Sequence, residues 1–152
     1  MDMPIEYRIS NRLDFSFFRW KGIVTLDQYL RSLRSYVNEP NFRPGRTELV
    51  DTSRLEDFAT NFNGMMAALR SANAEYKSPF FRARTIIWSP RDYIFGLSRM
   101  MQQIADVNPG IIVEVFRDER EVLSILGFNH ESVSELEADL NSEKEVETTL
   151  IT

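Results

Sequence analysis

Arg46-Thr-Glu-Leu-Val-Asp-Thr-Ser-Arg-Leu-Glu-Asp-Phe-Ala-Thr-Asn-Phe-Asn-Gly64 reads as a short strand, Glu48-Leu-Val-Asp51, then a polar turn, then a helix start rich in hydroxyl and amide side chains. The run that follows puts Phe62, Met65, Leu69, Ala72 and Tyr76 on one helical stripe, with Ala67 and Ala68 suited to close approach to a sheet. A strand feeding a helix through a turn is half of a βαβ unit. The segments on either side therefore decide the fold class.

Upstream, Ile5, Tyr7 and Ile9 alternate with Glu6, Arg8 and Ser10, the period of a half-buried strand. After the turn at Asn11, the run Asp14 to Lys21 places Phe15 and Phe17 on one face and Phe18 and Trp20 on the other. A strand apolar on both faces is a central one, covered above and below, and Gly22 is expected to end it. Thr25-Leu-Asp-Gln28 has the form of a capping box opening a helix through Leu26, Tyr29, Leu30, Leu33 and Val37, which Pro40 bars from continuing. Phe42-Arg-Pro-Gly45 is a turn.

Downstream, Ser78-Pro79 stops the second helix and Arg82 to Ser89 forms the fourth strand. Ser89-Pro90-Arg91-Asp92 offers a capping Ser, Pro at the first helical position and an early acid. The helix it opens carries Ile94, Leu97, Met101 and Ile104 inward. Ile111 to Phe116 is a fifth strand, and a short helix from Asp118 to Gly127 closes the body. The order predicts one α/β domain over 1–129: a mixed five-stranded sheet, mostly parallel, with an antiparallel N-terminal edge strand and four helices. A chain of 152 residues, 43% hydrophobic and 12% aromatic, buries one core of this size and not two.

The remaining 130–152 is an acidic tail. It holds seven acids against Lys144, so it carries −6 while the body carries +1 of the net −5. Val133, Leu136 and Leu140 share a helical stripe that Ser132 or Ser134 can cap, which predicts a partly helical segment needing a surface to dock on, and disorder where it finds none. A pI near 5.0 argues against a nucleic-acid partner. Neither a secretory leader nor a run of eighteen apolar residues is present, which predicts a cytoplasmic protein with no membrane partner. With no cysteine, thiolate chemistry and disulfides are out.

The leading hairpin, the Gly22-Ile-Val-Thr25 exit into the first helix, the Leu49-Val-Asp51 strand before a polar turn, and the closing Val113-Glu-Val-Phe-Arg-Asp-Glu-Arg-Glu-Val-Leu-Ser-Ile-Leu126 unit together resemble the STAS-like family, typified by bacterial anti-sigma-factor antagonists. The resemblance covers about residues 4 to 128 and points to a divergent branch. It implies a non-catalytic regulatory module with a protein partner, a kinase or another regulator, and leaves room for a homodimer. In typical members a Ser at the start of the helix after the third strand is phosphorylated. Here Ala59-Thr-Asn-Phe-Asn-Gly64 takes that place and Thr60 is its only hydroxyl. The resemblance thus marks Asp51, Ser53, Asp57, Thr60, Asn61 and Asn63 as the candidate switch or partner-contact turn.

Other clusters are weaker. Asp51, Glu56 and Asp57 could hold a metal, yet no His or diagnostic spacing accompanies them, so capping and a solvated turn explain them and no metal or cofactor is expected. His130, the single histidine, has no Ser or Asp whose pairing the sequence argues, and no catalytic constellation appears. Arg82, Arg84 and Arg91 are candidate anion contacts. Met66, Phe95 and Met100 are the leftover large side chains of a candidate contact surface. These two sets motivate an alternative function, a carrier or sensor of a small apolar or anionic ligand.

Overall fold

The computed structural model describes residues 3–76, 83–108 and 110–151, with side chains described for all of these except 83 and 144–151. Its elements are β1 Ile5–Ser10, β2 Phe15–Thr25, α1 Leu26–Val37, β3 Thr47–Ala59, α2 Phe62–Tyr76, β4 Ala83–Trp88, α3 Asp92–Asp106, β5 Ile111–Phe116, α4 Glu119–Leu126 and α5 Val133–Ile151. The strands lie in the order β1-β2-β3-β4-β5, with β1 antiparallel to β2 and the rest parallel. The mixed α/β sheet is the expected one. Among the described residues there are five helices rather than four, because the tail forms a long helix of its own.

Sequential strand order has a direct consequence. Right-handed crossovers that always step the same way along the sheet put α1, α2 and α3 on one face. There Phe18, Trp20, Val24, Ile87 and Val113 of the sheet meet Leu33, Tyr36, Met65, Leu69, Ile94 and Ile104. The opposite face, with Phe15, Phe17, Leu49 and Ile86, receives no crossover helix. It is closed by Val122 and Leu123 of α4 and by Val133, Leu136 and Leu140 of α5. The two-faced aromatic pattern of β2 therefore reports a sheet packed on both sides.

Polar contacts hold α5 in place. Arg12 Nη2 donates to Asp139 Oδ1 at 2.8 Å and Glu143 Oε2 at 3.2 Å, His130 Nε2 lies 2.9 Å from Asp139 Oδ2, and Arg19 pairs with Glu137. The hydrogen bond from His130, then that from Arg12, hold the Asp139 carboxyl below its ordinary range. The helix begins where Ser132 Oγ accepts from Glu135 N, 3.0 Å.

Three boundaries differ from the sequence reading. Neither Gly22 ends β2 nor Asp51 ends β3; the two strands stay paired to Thr25 and Ala59. Arg19 faces Asp51 while Lys21 faces Arg54, and Gly22 faces Leu55 while Ile23 faces Asp57, so β3 carries two extra residues. These bulges break the alternation that would have revealed the strand, and Gly22 absorbs part of the bend at φ 65°. Third, Ser89 does not cap α3, which starts at Asp92 after Arg91. The Ser89 hydroxyl is buried instead, 2.8 Å from Thr52 Oγ1 and 2.6 Å from Ser98 Oγ, tying β3 and β4 to α3. The capping box at Thr25 and Gln28 and the left-handed Gly127 at the end of α4 are as read.

Candidate functional site

The candidate site lies at the carboxyl end of the parallel strands, where open α/β sheets place their ligands. Its centre is the β3–α2 junction. Thr60 N donates to Phe58 O at 2.8 Å, which turns the chain out of the strand. Asn61 then caps α2, its Oδ1 accepting from Gly64 N at 2.9 Å. A Cβ at Gly64 would collide with Thr60 Oγ1 as it stands. The Thr60 hydroxyl thus rests on the first turn of α2, a turn that contains no acid to offset the positive end of the helix dipole.

The six residues of the expected polar turn separate. Asp51, Ser53 and Asp57 belong to β3, and the turn itself is only Thr60 and Asn61, with Asn63 exposed in the first turn of α2. Asp51 is buried and accepts from Ser53 N at 2.8 Å, so it is a strand carboxylate and not a turn ligand. Asp57 remains at the edge. Its Oδ1 accepts from Tyr93 Oη at 2.7 Å, a bond that raises the ionisation of the Tyr93 phenol above its usual value and joins the start of α3 to the end of β3.

The described members of the two other candidate sets are engaged separately. Arg82 lies outside the described residues. Arg84 is engaged bidentately by Glu114 of β5, at 2.6 and 3.2 Å, while Arg91 sits past the far end of β4. Met66 packs on the core from α2. Phe95 lies under the Arg117 guanidinium, 4.9 Å from Cζ to ring centre, and Met100, five residues on, points about 140° away around α3. No shared surface results. Among the described residues no three His, Asp or Glu side chains gather as a metal site would require.

Sequence reasoning passed over two features. The first is a set of exposed apolar side chains in the second half of β2, before β1 and at the starts of α2 and α3: Met3 (58% exposed), Ile23 (57%), Phe62 (56%) and Tyr93 (60%). Phe62 was expected in the core stripe of α2, but it falls at the helix start, beyond the sheet it would have covered. Met3 is brought to the same end by the bond from Lys21 N to Pro4 O, 2.9 Å.

The second is Glu48, only 4% exposed on the helix-covered face of β3. Tyr76 Oη donates to its Oε2 at 2.7 Å and Thr85 Oγ1 to its Oε1 at 2.9 Å. Burial pushes the carboxyl above its ordinary range, more than the hydroxyl donors pull it back. A raised folded-state value stabilises the fold below the unfolded value of about 4.3 and loses that contribution as pH climbs through the folded one. The phenols around it, Tyr29, Tyr36 and Tyr76, are all shifted upward and stay neutral in this window. Glu48→Gln should therefore melt above the wild type at about pH 8, with the gap shrinking toward about pH 4. Thermal unfolding at both values checks this, and a gap independent of pH would refute it.

The sequence matches no protein-family model and no curated protein. Among solved structures, an uncharacterized DUF3478-family protein with a SpoIIAA-like fold from Shewanella loihica PV-4 is similar at 19% identity, over 80% of this chain and 93% of that one, with a TM-score of 0.53. The Bacillus cell fate determinant SpoIIAA in its phosphorylated form aligns at 13% identity, over 80% of this chain and 98% of that one, with a TM-score of 0.43. The chain has the SpoIIAA-like, STAS-like α/β fold.

Proposed function

We propose that the chain is a non-catalytic regulatory module that meets a protein partner through the carboxyl end of its sheet, with Thr60 as the residue at which phosphorylation would act. The fold alone is silent on function. What supports the reading is the exposure of Ile23, Phe62 and Tyr93 toward that end, together with a hydroxyl seated on a helix start. Both faces of the sheet are already filled by helices of the chain itself, and this end offers a partner exposed apolar side chains. A phosphate on Thr60 would be held by the first-turn amides of α2 and would place charge at that end of the sheet.

Affinity capture from the native cell, quantified by mass spectrometry, tests the surface. Phe62→Ser should reduce recovery of a specific partner by at least about tenfold, since truncating an interface anchor costs roughly 2 kcal/mol or more. Val107→Ser, at a still more exposed apolar position at the far end of α3, should not. With that partner in hand, Thr60→Glu should weaken binding and Thr60→Val should not, because only the first adds charge. Equal recovery by Phe62→Ser and Val107→Ser would refute the surface, and equal binding by the two Thr60 variants would refute the switch. A homodimer through the same end would appear as an association that Phe62→Ser abolishes in sedimentation equilibrium.

A further inference from the structure

The sheet and the three crossover helices do not close completely on one another. A cavity of about 110 Å³ remains between them, walled by Phe18, Trp20, Leu33, Leu69, Ile87 and Ile94 and floored by Glu48. Such a volume is of the order of the cavity of about 150 Å³ that stays dry and takes benzene when its walls are purely apolar. This one is not purely apolar. It has a single acid, and each of its carboxyl oxygens already accepts one hydroxyl, from Tyr76 and from Thr85.

A carboxyl oxygen has two lone pairs, so Glu48 keeps acceptor capacity beyond those two bonds. Burial dominates its ionisation, and the Tyr36 hydroxyl, which also draws it down, donates its proton to Ser16 Oγ at 2.8 Å. Unmet acceptor capacity in an apolar interior is costly, and a guest that brings a donor removes that cost while filling empty space. We propose that this interior cavity is a binding site for a compact, mostly apolar molecule of about six or seven heavy atoms that carries one hydroxyl donor for Glu48. The site is distinct from the edge surface, and from the Arg and Met clusters that suggested a ligand in the sequence. Half-buried Tyr29, Ser32, Leu97 and Met101 line its helix side.

Phenol and benzene, as donor-bearing and donor-free probes of nearly equal size, test the idea by protein-observed NMR titration. Both should bind the wild type, shifting resonances of cavity residues such as Thr85 and Ala72. Glu48→Leu removes the acceptor and should move the phenol-to-benzene affinity ratio at least about tenfold toward benzene, which is about 1.4 kcal/mol. Ala72→Leu, which fills the cavity from α2, should abolish binding of both probes while the spectrum stays folded. Should Glu48→Leu fail to fold, the wild-type pair still decides, since phenol must then perturb the Tyr76 and Thr85 signals in a way that benzene does not. Absence of binding by either probe, an unchanged ratio in Glu48→Leu, or binding that survives Ala72→Leu would overturn the proposal.

Discussion

Truncation after Phe128 is expected to unfold the chain. The helix it removes buries Val133 (2% exposed), Leu136 (0%) and Leu140 (3%) against Phe15, Phe17, Leu49 and Ile86. Burying each such aliphatic side chain is worth about 1.5–3 kcal/mol, so the three supply about 5–9 kcal/mol. That is comparable to the whole stability of an ordinary domain, about 5–15 kcal/mol. The loss also exposes four large side chains of the sheet, which favours aggregation. A milder version, Leu136→Ala, should cost about 2–5 kcal/mol in urea unfolding. A truncated protein with a cooperative transition at the wild-type midpoint would contradict this role for α5.

The second large effect is expected on the other face, at Tyr36. This residue is 1% exposed, and its ring meets Phe18, Phe42 and Tyr7 edge-on at 4.8, 5.0 and 5.5 Å between centres. Its hydroxyl donates to Ser16 Oγ of β2 at 2.8 Å, joining α1 to the middle of the sheet. Tyr36→Ala removes the ring and leaves a cavity, at a cost of about 3–5 kcal/mol. Tyr36→Phe keeps the ring and strands only the buried Ser16 hydroxyl, at about 1–3 kcal/mol. Chemical denaturation of both variants separates ring from hydroxyl. If Tyr36→Phe were as damaging as Tyr36→Ala, the hydrogen bond and not the aromatic cluster would anchor α1.

Where local chemistry and tertiary packing agree, the sequence was legible. The core face of β1 formed by Ile5, Tyr7 and Ile9, the two apolar faces of β2, the capping box at Thr25 and the Asp118 cap all reappear in the structure, though Ser10 of β1 is buried as well. What escaped did so for physical reasons. The second half of β3 is bulged twice, so Leu55 and Phe58 face the core out of strict period and their polar neighbours read as a turn. Ser89 has the chemistry of a cap, and nothing local says that Thr52 and Ser98 will claim its hydroxyl. Glu48 did leave a signal. It neighbours a strand apolar on both faces, so a carboxylate beside it had to be buried and needed donors. Phe62 misled because an aromatic at helical spacing looks like core when its distance from the sheet edge is unknown.

The chain covers both faces of its own sheet, which directs a partner to the strand ends. Native-state hydrogen exchange measures this directly. Amides in the docked part of α5, Leu136 and Leu140 among them, should exchange only through global unfolding, with the same protection as Leu49 and Ile86 in the central strands. Rapid exchange along α5 beside protected strands would show a detached tail and an open second face, and the strand ends would no longer be the surface singled out for binding.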